Sequence, residues 1–216
     1  MSDAGRVIAG SARGTRLRSP GAGTRPLGDR VKQTLFAILE PYLPRASVLD
    51  LFAGSGAGGI EALSRGAARA VFVEQDDTAA RLIRENLIGT RLDGRALVAR
   101  ADVLAYLRGR AAHDGPFDVV LLDPPYAEPG LMHAPLACLG GGNPPLITIG
   151  AWVVAKHFWR NPPPAVVGLL ASVRTRRFGE TTLTFYRPAT AVAQGGASAG
   201  EVEPGRADRE PEEANR

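Results

Sequence analysis

The sequence predicts an α/β protein with a mostly parallel sheet, a small N-terminal β-hairpin and an antiparallel C-terminal hairpin. Three observations carry this. Apolar runs alternate with helical patterns through residues 29–188, the rhythm of a parallel sheet covered on both faces. Two runs, VLDLF and DVVLLD, are nearly continuous, as in strands buried on both sides. Acidic residues recur, about one strand–helix unit apart, where these strands run out.

The elements follow in order. RVIAG and TRLRS pair as a hairpin around Gly10 to Gly14, with Val7 and Leu17 apolar and Arg6, Arg16 and Arg18 exposed. Asp29 is expected as a helix N-cap, and Val31, Leu35, Ile38 and Leu39 form one helix face that Pro41 and Pro44 end. Strands are predicted at Ser47–Phe52, Arg69–Glu74, Arg95–Arg100, Phe117–Asp123 and Ala151–His157. Helices are predicted at 57–65, 77–88 and 102–110. Val166–Arg174 and Thr181–Tyr186 close the sheet as a hairpin around Gly179. Residues 189–216 hold almost no bulky apolar side chain and are expected to be a disordered tail.

Composition narrows the function. The 216 residues are 44% hydrophobic and 22% charged, which suits one globular domain. Cys138 is the single cysteine, so no disulfide forms within the chain. No apolar run reaches a membrane-span length, and MSDAGRVIAG lacks the pattern of a secretory signal; a cytoplasmic location is expected. The net charge is +4, but residues 1–34 carry seven cations against Asp3 and Asp29, while 189–216 is net negative. A basic arm, 1–28, ahead of a catalytic domain, 29–188, suggests a polyanionic partner. A solvated basic face is the plainer alternative, and with 24 of the 26 cations arginine, composition bias contributes.

In open parallel sheets ligands sit outside the carboxyl ends of the strands. At the first end, Gly54, Gly56 and Gly59 satisfy a dinucleotide fingerprint. Asp50 just before them would repel a diphosphate and attract an ammonium, which favours S-adenosylmethionine over a nicotinamide dinucleotide; capping of the next helix is its structural alternative. Glu74 can accept both hydroxyls of a ribose. Asp102 can accept from an adenine amino group or cap the following helix. Asp123-Pro124-Pro125-Tyr126 is the most specific segment. Its two prolines stiffen the turn and remove two N–H donors, leaving an acceptor-only cradle for an NH₂ group, and Tyr126 offers a ring for a planar base. An ordinary proline-rich turn is the alternative there. His113, His133 and His157 are scattered, so no metal is expected.

With RVIAGSARGTRL, RPLGDRVKQTLFAIL, VLDLFAGSGAGGIEALSRGA, VFVEQD, LLDPPY and RRFGETTLTFY in family order, the chain resembles the RsmD-type 16S rRNA guanine-N2 methyltransferases of the DPPY/NPPY class. The resemblance implies a Rossmann-like S-adenosylmethionine methyltransferase fold. It implies that the cofactor is held by Asp50, Ala53, Gly54, Ser55, Gly56, Glu74, Asp102 and Val103. Catalysis would fall to Asp123, Pro124, Pro125 and Tyr126. The partner would be small-subunit ribosomal RNA, naked or in a partly assembled subunit, with Arg6, Arg13, Arg16, Arg25, Arg30 and Lys32 on its phosphates. Two features depart from the family pattern. Leu27-Gly28 stands where hydroxyl residues are common, and Lys156 falls where the family often has Glu. The competing readings are an adenine or cytosine N-methyltransferase, a nonenzymatic RNA-binding assembly factor, and a dinucleotide oxidoreductase that leaves Asp50 and the DPPY turn unexplained.

Overall fold

The structure, a computed structural model, describes residues 2–19, 28–125, 129–143 and 145–189. Arg25, Leu27, Tyr126 and all of the expected tail but Ala189 lie outside them. In chain order the elements are β1 (Ser2–Arg6), β2 (Arg16–Ser19), α1 (Asp29–Leu39), β3 (Ser47–Leu51), α2 (Ala57–Ser64), β4 (Arg69–Glu74), α3 (Asp77–Thr90), β5 (Ala96–Arg100), α4 (Val103–Arg108), α5 (Ala111–Asp114), β6 (Phe117–Leu122), α6 (His133–Gly140), β7 (Ile147–Phe158), β8 (Val166–Val167), β9 (Leu170–Phe178) and β10 (Thr181–Pro188). β1 and β2 pair as a separate antiparallel hairpin. The main sheet has the order β5-β4-β3-β6-β7-β10-β9-β8. Strands β5 through β7 are parallel, and the remaining pairings are antiparallel.

Side-chain alternation explains why this sheet needs helices on both faces. Val48, Phe72, Leu121 and Val154 project to one side, against Phe36 of α1, Ile60 and Leu63 of α2 and Ile83 of α3. Leu49, Leu51, Val71, Val120 and Leu122 project to the other, against Tyr106 and Leu107 of α4 and Leu136 and Leu139 of α6. Full burial of one such side chain, Phe36 for example, contributes about 2–3 kcal/mol. The chain winds outward from β3 through β4 to β5, then returns to place β6 on the other side of β3. The crevice between the ends of β3 and β6 is therefore the switch point where such sheets take ligands.

Several predicted boundaries shift for identifiable reasons. Asp29 is the first helical residue of α1, and Gly28 holds the N-cap position with no side-chain cap. The helix expected over 102–110 is α4, which ends at Arg108, and α5 follows it as an additional short helix. α6 escaped the periodicity because HAPLACLG is short and carries Pro135 in its first turn, where a missing N–H costs little. β7 starts four residues early, where Thr148 Oγ1 donates to Asp118 Oδ1 at 3.1 Å. The closing hairpin turns near Gly179 as expected, but its first strand is β9, and Val166–Val167 form a strand of their own.

The first strand of the N-terminal hairpin is displaced from the predicted RVIAG to Ser2–Arg6, because the N–H groups of Ile8 and Ala9 bond a carboxylate instead of a strand. They donate to Glu61 Oε2 at 2.7 Å and Oε1 at 3.0 Å, and Arg65 Nε donates to Oε1 at 2.8 Å. Glu61, on α2, is fully buried. Gly10 lies against the end of α2, where a Cβ would come within 1.9 Å of the Ser64 carbonyl oxygen. Lys32 overturns one expectation. It is fully buried, and its ammonium donates to the Arg6 carbonyl at 2.6 Å, so it fastens the arm and is not on the surface. Burial lowers its pKa, an effect the Glu61 carboxylate opposes. Glu61→Ala leaves two backbone N–H groups and a guanidinium without their acceptor; a loss of about 3 kcal/mol in urea unfolding is expected, and a loss below about 1 kcal/mol would show that the arm docks by other means.

Candidate active site

The site is assembled from four strand ends. β3 ends at Asp50 and Leu51 and passes into a tight loop in which Phe52 (φ 59°), Gly54 (φ 55°) and Gly56 (φ 77°) are left-handed. Phe52 is the costly one, on the order of 1–2 kcal/mol for a residue with a Cβ. The loop is held from outside itself. Ala53 N–H donates to the Val73 carbonyl at 3.1 Å, Gly54 N–H to Glu74 Oε2 at 2.9 Å, and Asn86 Nδ2 to the Ser55 carbonyl at 2.9 Å. Asn86 also brackets Arg18, accepting from its N–H at 2.9 Å and donating to its carbonyl at 3.0 Å. One α3 side chain thus joins the basic arm to the glycine loop. It went unnoticed in the sequence, where the signal was a polar residue beside Ile83, Leu87 and Thr90 on a buried helix face.

The carboxylates occupy distinct environments. Asp50 is 4% exposed, and its Oδ2 accepts Gly59 N–H at 2.8 Å, in the first turn of α2. The capping alternative is thereby realised through one oxygen; Oδ1 has no partner among the described residues. Burial foremost, with Asp123 and Glu74 adding repulsion against the Gly59 N–H, pushes the Asp50 carboxyl up to about 7. Each Glu74 oxygen accepts one backbone N–H, from Gly54 and from Asp76, both at 2.9 Å. Asp102 caps α4, its Oδ1 accepting Ala105 N–H at 2.9 Å. Val103 is buried beside it.

At the end of β6, Asp123 N–H donates to the Leu51 carbonyl at 3.3 Å, so the Asp123-Pro124-Pro125 turn and the glycine loop grow from adjoining strand ends. Pro124 is buried and Pro125 exposed. Lys156, at the end of β7, places its ammonium 2.5 Å from Asp123 Oδ1. Asp123 side-chain exposure is 32% and Lys156 is 11%, so the pair is half-enclosed. Burial raises the Asp123 carboxyl, and the Lys156 ammonium works against that. Asp123 Oδ2 has no partner among the described residues.

The structure therefore brings together Asp50, Ala53, Gly54, Ser55, Gly56, Glu74, Asp123, Pro124 and Pro125. Asp102 and Val103 stand at the outer end of β5, tied in by Ala101 N–H to the Glu74 carbonyl at 3.1 Å. Tyr126 is not among the described residues. Arg6, Arg13, Arg16 and Arg30 are exposed, and Arg6 lies 3.7 Å from Asp29. No group of three or more potential metal-ligating side chains occurs among the described residues. Among them, too, no helix is long and apolar enough to cross a membrane.

A prediction follows from Asp50. Its folded pKa lies above the unfolded value, so its contribution is fully present below about pH 4 and is lost as pH rises through about 7. Between pH 5 and pH 8 the cofactor-free protein should lose about 3 kcal/mol more than Asp50→Asn. Thermal melts across that range check this; parallel curves for parent and variant would refute it.

The family model described as Conserved hypothetical protein 95 matches residues 5–187. YlbH of Bacillus subtilis is 37% identical over 183 residues, covering 84% of this chain and 98% of that one. The Ribosomal RNA small subunit methyltransferase D of Haemophilus influenzae is 44% identical over 123 residues, 56% of this chain and 63% of that protein. The solved yhhF structure from Escherichia coli superposes with a TM-score of 0.75 at 31% identity, over 86% of this chain and 98% of that one. The sheet order, the glycine loop beside the DPPY turn and these matches agree: the chain belongs to the Conserved hypothetical protein 95 family, the RsmD type, and has the Rossmann-like fold of the S-adenosylmethionine-dependent methyltransferases.

Proposed function

We propose that this protein methylates the exocyclic N2 of a guanine in small-subunit ribosomal RNA. One observation carries the reading: an acceptor-only turn, Asp123-Pro124-Pro125, adjoins the glycine loop through the Asp123 to Leu51 backbone bond. The similarity to the Haemophilus influenzae protein, named as a small subunit rRNA methyltransferase, supports the substrate.

The residues present suit S-adenosylmethionine. Asp50 Oδ1, beside the loop and without a described partner, is an acceptor for an ammonium, which would also draw the Asp50 proton off. Glu74 keeps a second lone pair on each oxygen for ribose hydroxyls. Ala53 to Gly56 supply backbone edges, and Asp102 and Val103 border the adenine side. When bound, S-adenosylmethionine supplies a methyl group made electrophilic by the sulfonium charge. The chain does the rest. Asp123 Oδ2 and the Pro124 carbonyl accept the two N2 protons, which favours a pyramidal nitrogen and frees its lone pair. The turn also holds that nitrogen at the roughly 3–3.5 Å approach that transfer requires. The bound cofactor would supply the methyl carbon, giving up its carbon–sulfur bond as the N2–carbon bond forms, and Asp123 or water would take the proton that N2 then sheds. Lys156 holds Asp123 Oδ1 and leaves Oδ2 to the substrate. Tyr126 is assigned the stacking role.

Base chemistry of this kind needs the guanine unpaired or flipped out, at a cost of a few kcal/mol. Arg6, Arg13, Arg16, Arg25 and Arg30 are assigned to the flanking phosphates; Lys32, buried, is withdrawn from that set. An rRNA substrate supports a cytoplasmic location as part of this proposal.

Asp123→Ala should lower the transfer rate on the order of a hundredfold or more while cofactor affinity is retained. Full activity in that variant rules out the cradle. Lys156→Met removes the cation that favours ionised Asp123, so the acidic limb of the rate profile should move to higher pH. Arg13→Ala with Arg16→Ala should reduce the salt slope of RNA binding by about 2. Nucleoside mass spectrometry of rRNA from a deletion strain tests the whole reading. Loss of one N2-methylguanosine is expected, whereas loss of a methylated adenine or cytosine instead assigns the turn to a different amine.

A further inference from the structure

We infer a second RNA-binding surface, separate from the N-terminal arm, where the β7 end meets the β9–β10 hairpin: Trp159 stacked with Arg160 and Arg177, with Arg174 and Arg176 on the opposite face of the same hairpin, grips the phosphates flanking the target nucleotide. The inference rests on the RNA-methylating reading above.

The position comes from the sheet. β7 is parallel to β6, so the turn after Phe158 emerges at the same edge as Asp123. Trp159 N–H donates to the Glu180 carbonyl at 3.0 Å, and Asn161 N–H to the Phe158 carbonyl at 3.0 Å, which pins that turn to the hairpin tip. On β10, Leu183 pairs with Lys156 on one side and with Arg176 on the other. Directly opposed residues share a face. Arg176 therefore lies two strands, about 10 Å, from the Lys156 that holds Asp123.

The chemistry comes from the side chains. The Arg177 guanidinium lies 4.0 Å from the Trp159 ring centroid and that of Arg160 lies 4.9 Å from it. Arg177 Nε also donates to the Gly179 carbonyl at 2.9 Å. A stacked, tethered guanidinium is already ordered, so less freedom is lost when it takes a phosphate in a two-pronged bond. Arg160, Arg174, Arg176 and Arg177 are all exposed. Glu180, at the hairpin tip, is the acid within this segment. A solvated basic face has no need of an indole that holds two guanidiniums; a phosphate clamp does. In sheet order the arm docks on α2 and α3 over the β3–β4 side, and this rim lies on the β7–β9 side. Asp123, on β6, stands between the two basic surfaces.

The test uses the full chain and a small-subunit rRNA transcript containing the methylated site. Arg160→Ala with Arg177→Ala, and separately Arg174→Ala with Arg176→Ala, are compared with the parent for RNA affinity at several salt concentrations and for steady-state methylation. Unchanged melting temperature and S-adenosylmethionine binding certify the fold. Each pair should weaken RNA binding about tenfold and reduce the salt slope by about 2, raising KM for RNA with kcat nearly unchanged. Trp159→Leu keeps both arginines and should produce part of the same KM increase without changing the slope. Parent-like affinity and slope in both double variants overturn the rim while the methyltransferase reading stands. A parent that neither binds nor methylates RNA overturns both.

Discussion

Three carboxylates at neighbouring strand ends, Glu74, Asp50 and Asp123, project to one face of the sheet, and the site exists because each is given a different donor. Glu74 takes two loop N–H groups, Asp50 takes one from the first turn of α2, and Asp123 takes an ammonium from β7. Like charges this close cannot all stay ionised in a half-enclosed crevice without such partners. The raised Asp50 carboxyl marks the group whose compensation is least complete. Its remaining oxygen is also the acceptor best placed for a cationic ligand. The strain and unmet polarity of this edge are concentrated where ligand would relieve them.

The basic arm is attached to that same edge. Glu61 and Lys32 are buried with their charges spent on backbone groups of the arm, and Asn86 grips the arm at Arg18 and the glycine loop at Ser55. Buried polar groups of this kind are worth most when every partner is present, since removing one leaves the others unsatisfied. The arm and the site therefore share one anchor, Asn86. An RNA held by the arm and a cofactor held by the loop would meet across a single asparagine.

Lys156 illustrates how context redefines a residue. Within the family pattern it looked like a charge reversal beside the site. Against Asp123 it is a counterion, and it orients one oxygen of the proposed acceptor while leaving the other open. Enzymes often arrange such neighbours to set the charge of a reacting group.

The α/β class, the strand ends that bear the site, the glycine loop and the DPPY turn were all legible in the amino-acid order, because apolar alternation, glycine and proline act locally through backbone sterics and burial. The family followed from those motifs taken together. α6 and the early start of β7 were not legible, since short elements are decided by what packs on them. Nor were the burial of Lys32, the clamp at Glu61, the bridge at Asn86 or the stack at Trp159. Each joins residues from 18 to 68 positions apart. Which buried donor meets which acceptor depends on how helices seat on the sheet, and the tertiary structure alone decided that, because an unpaired buried polar group is too costly for the finished fold to leave unmatched.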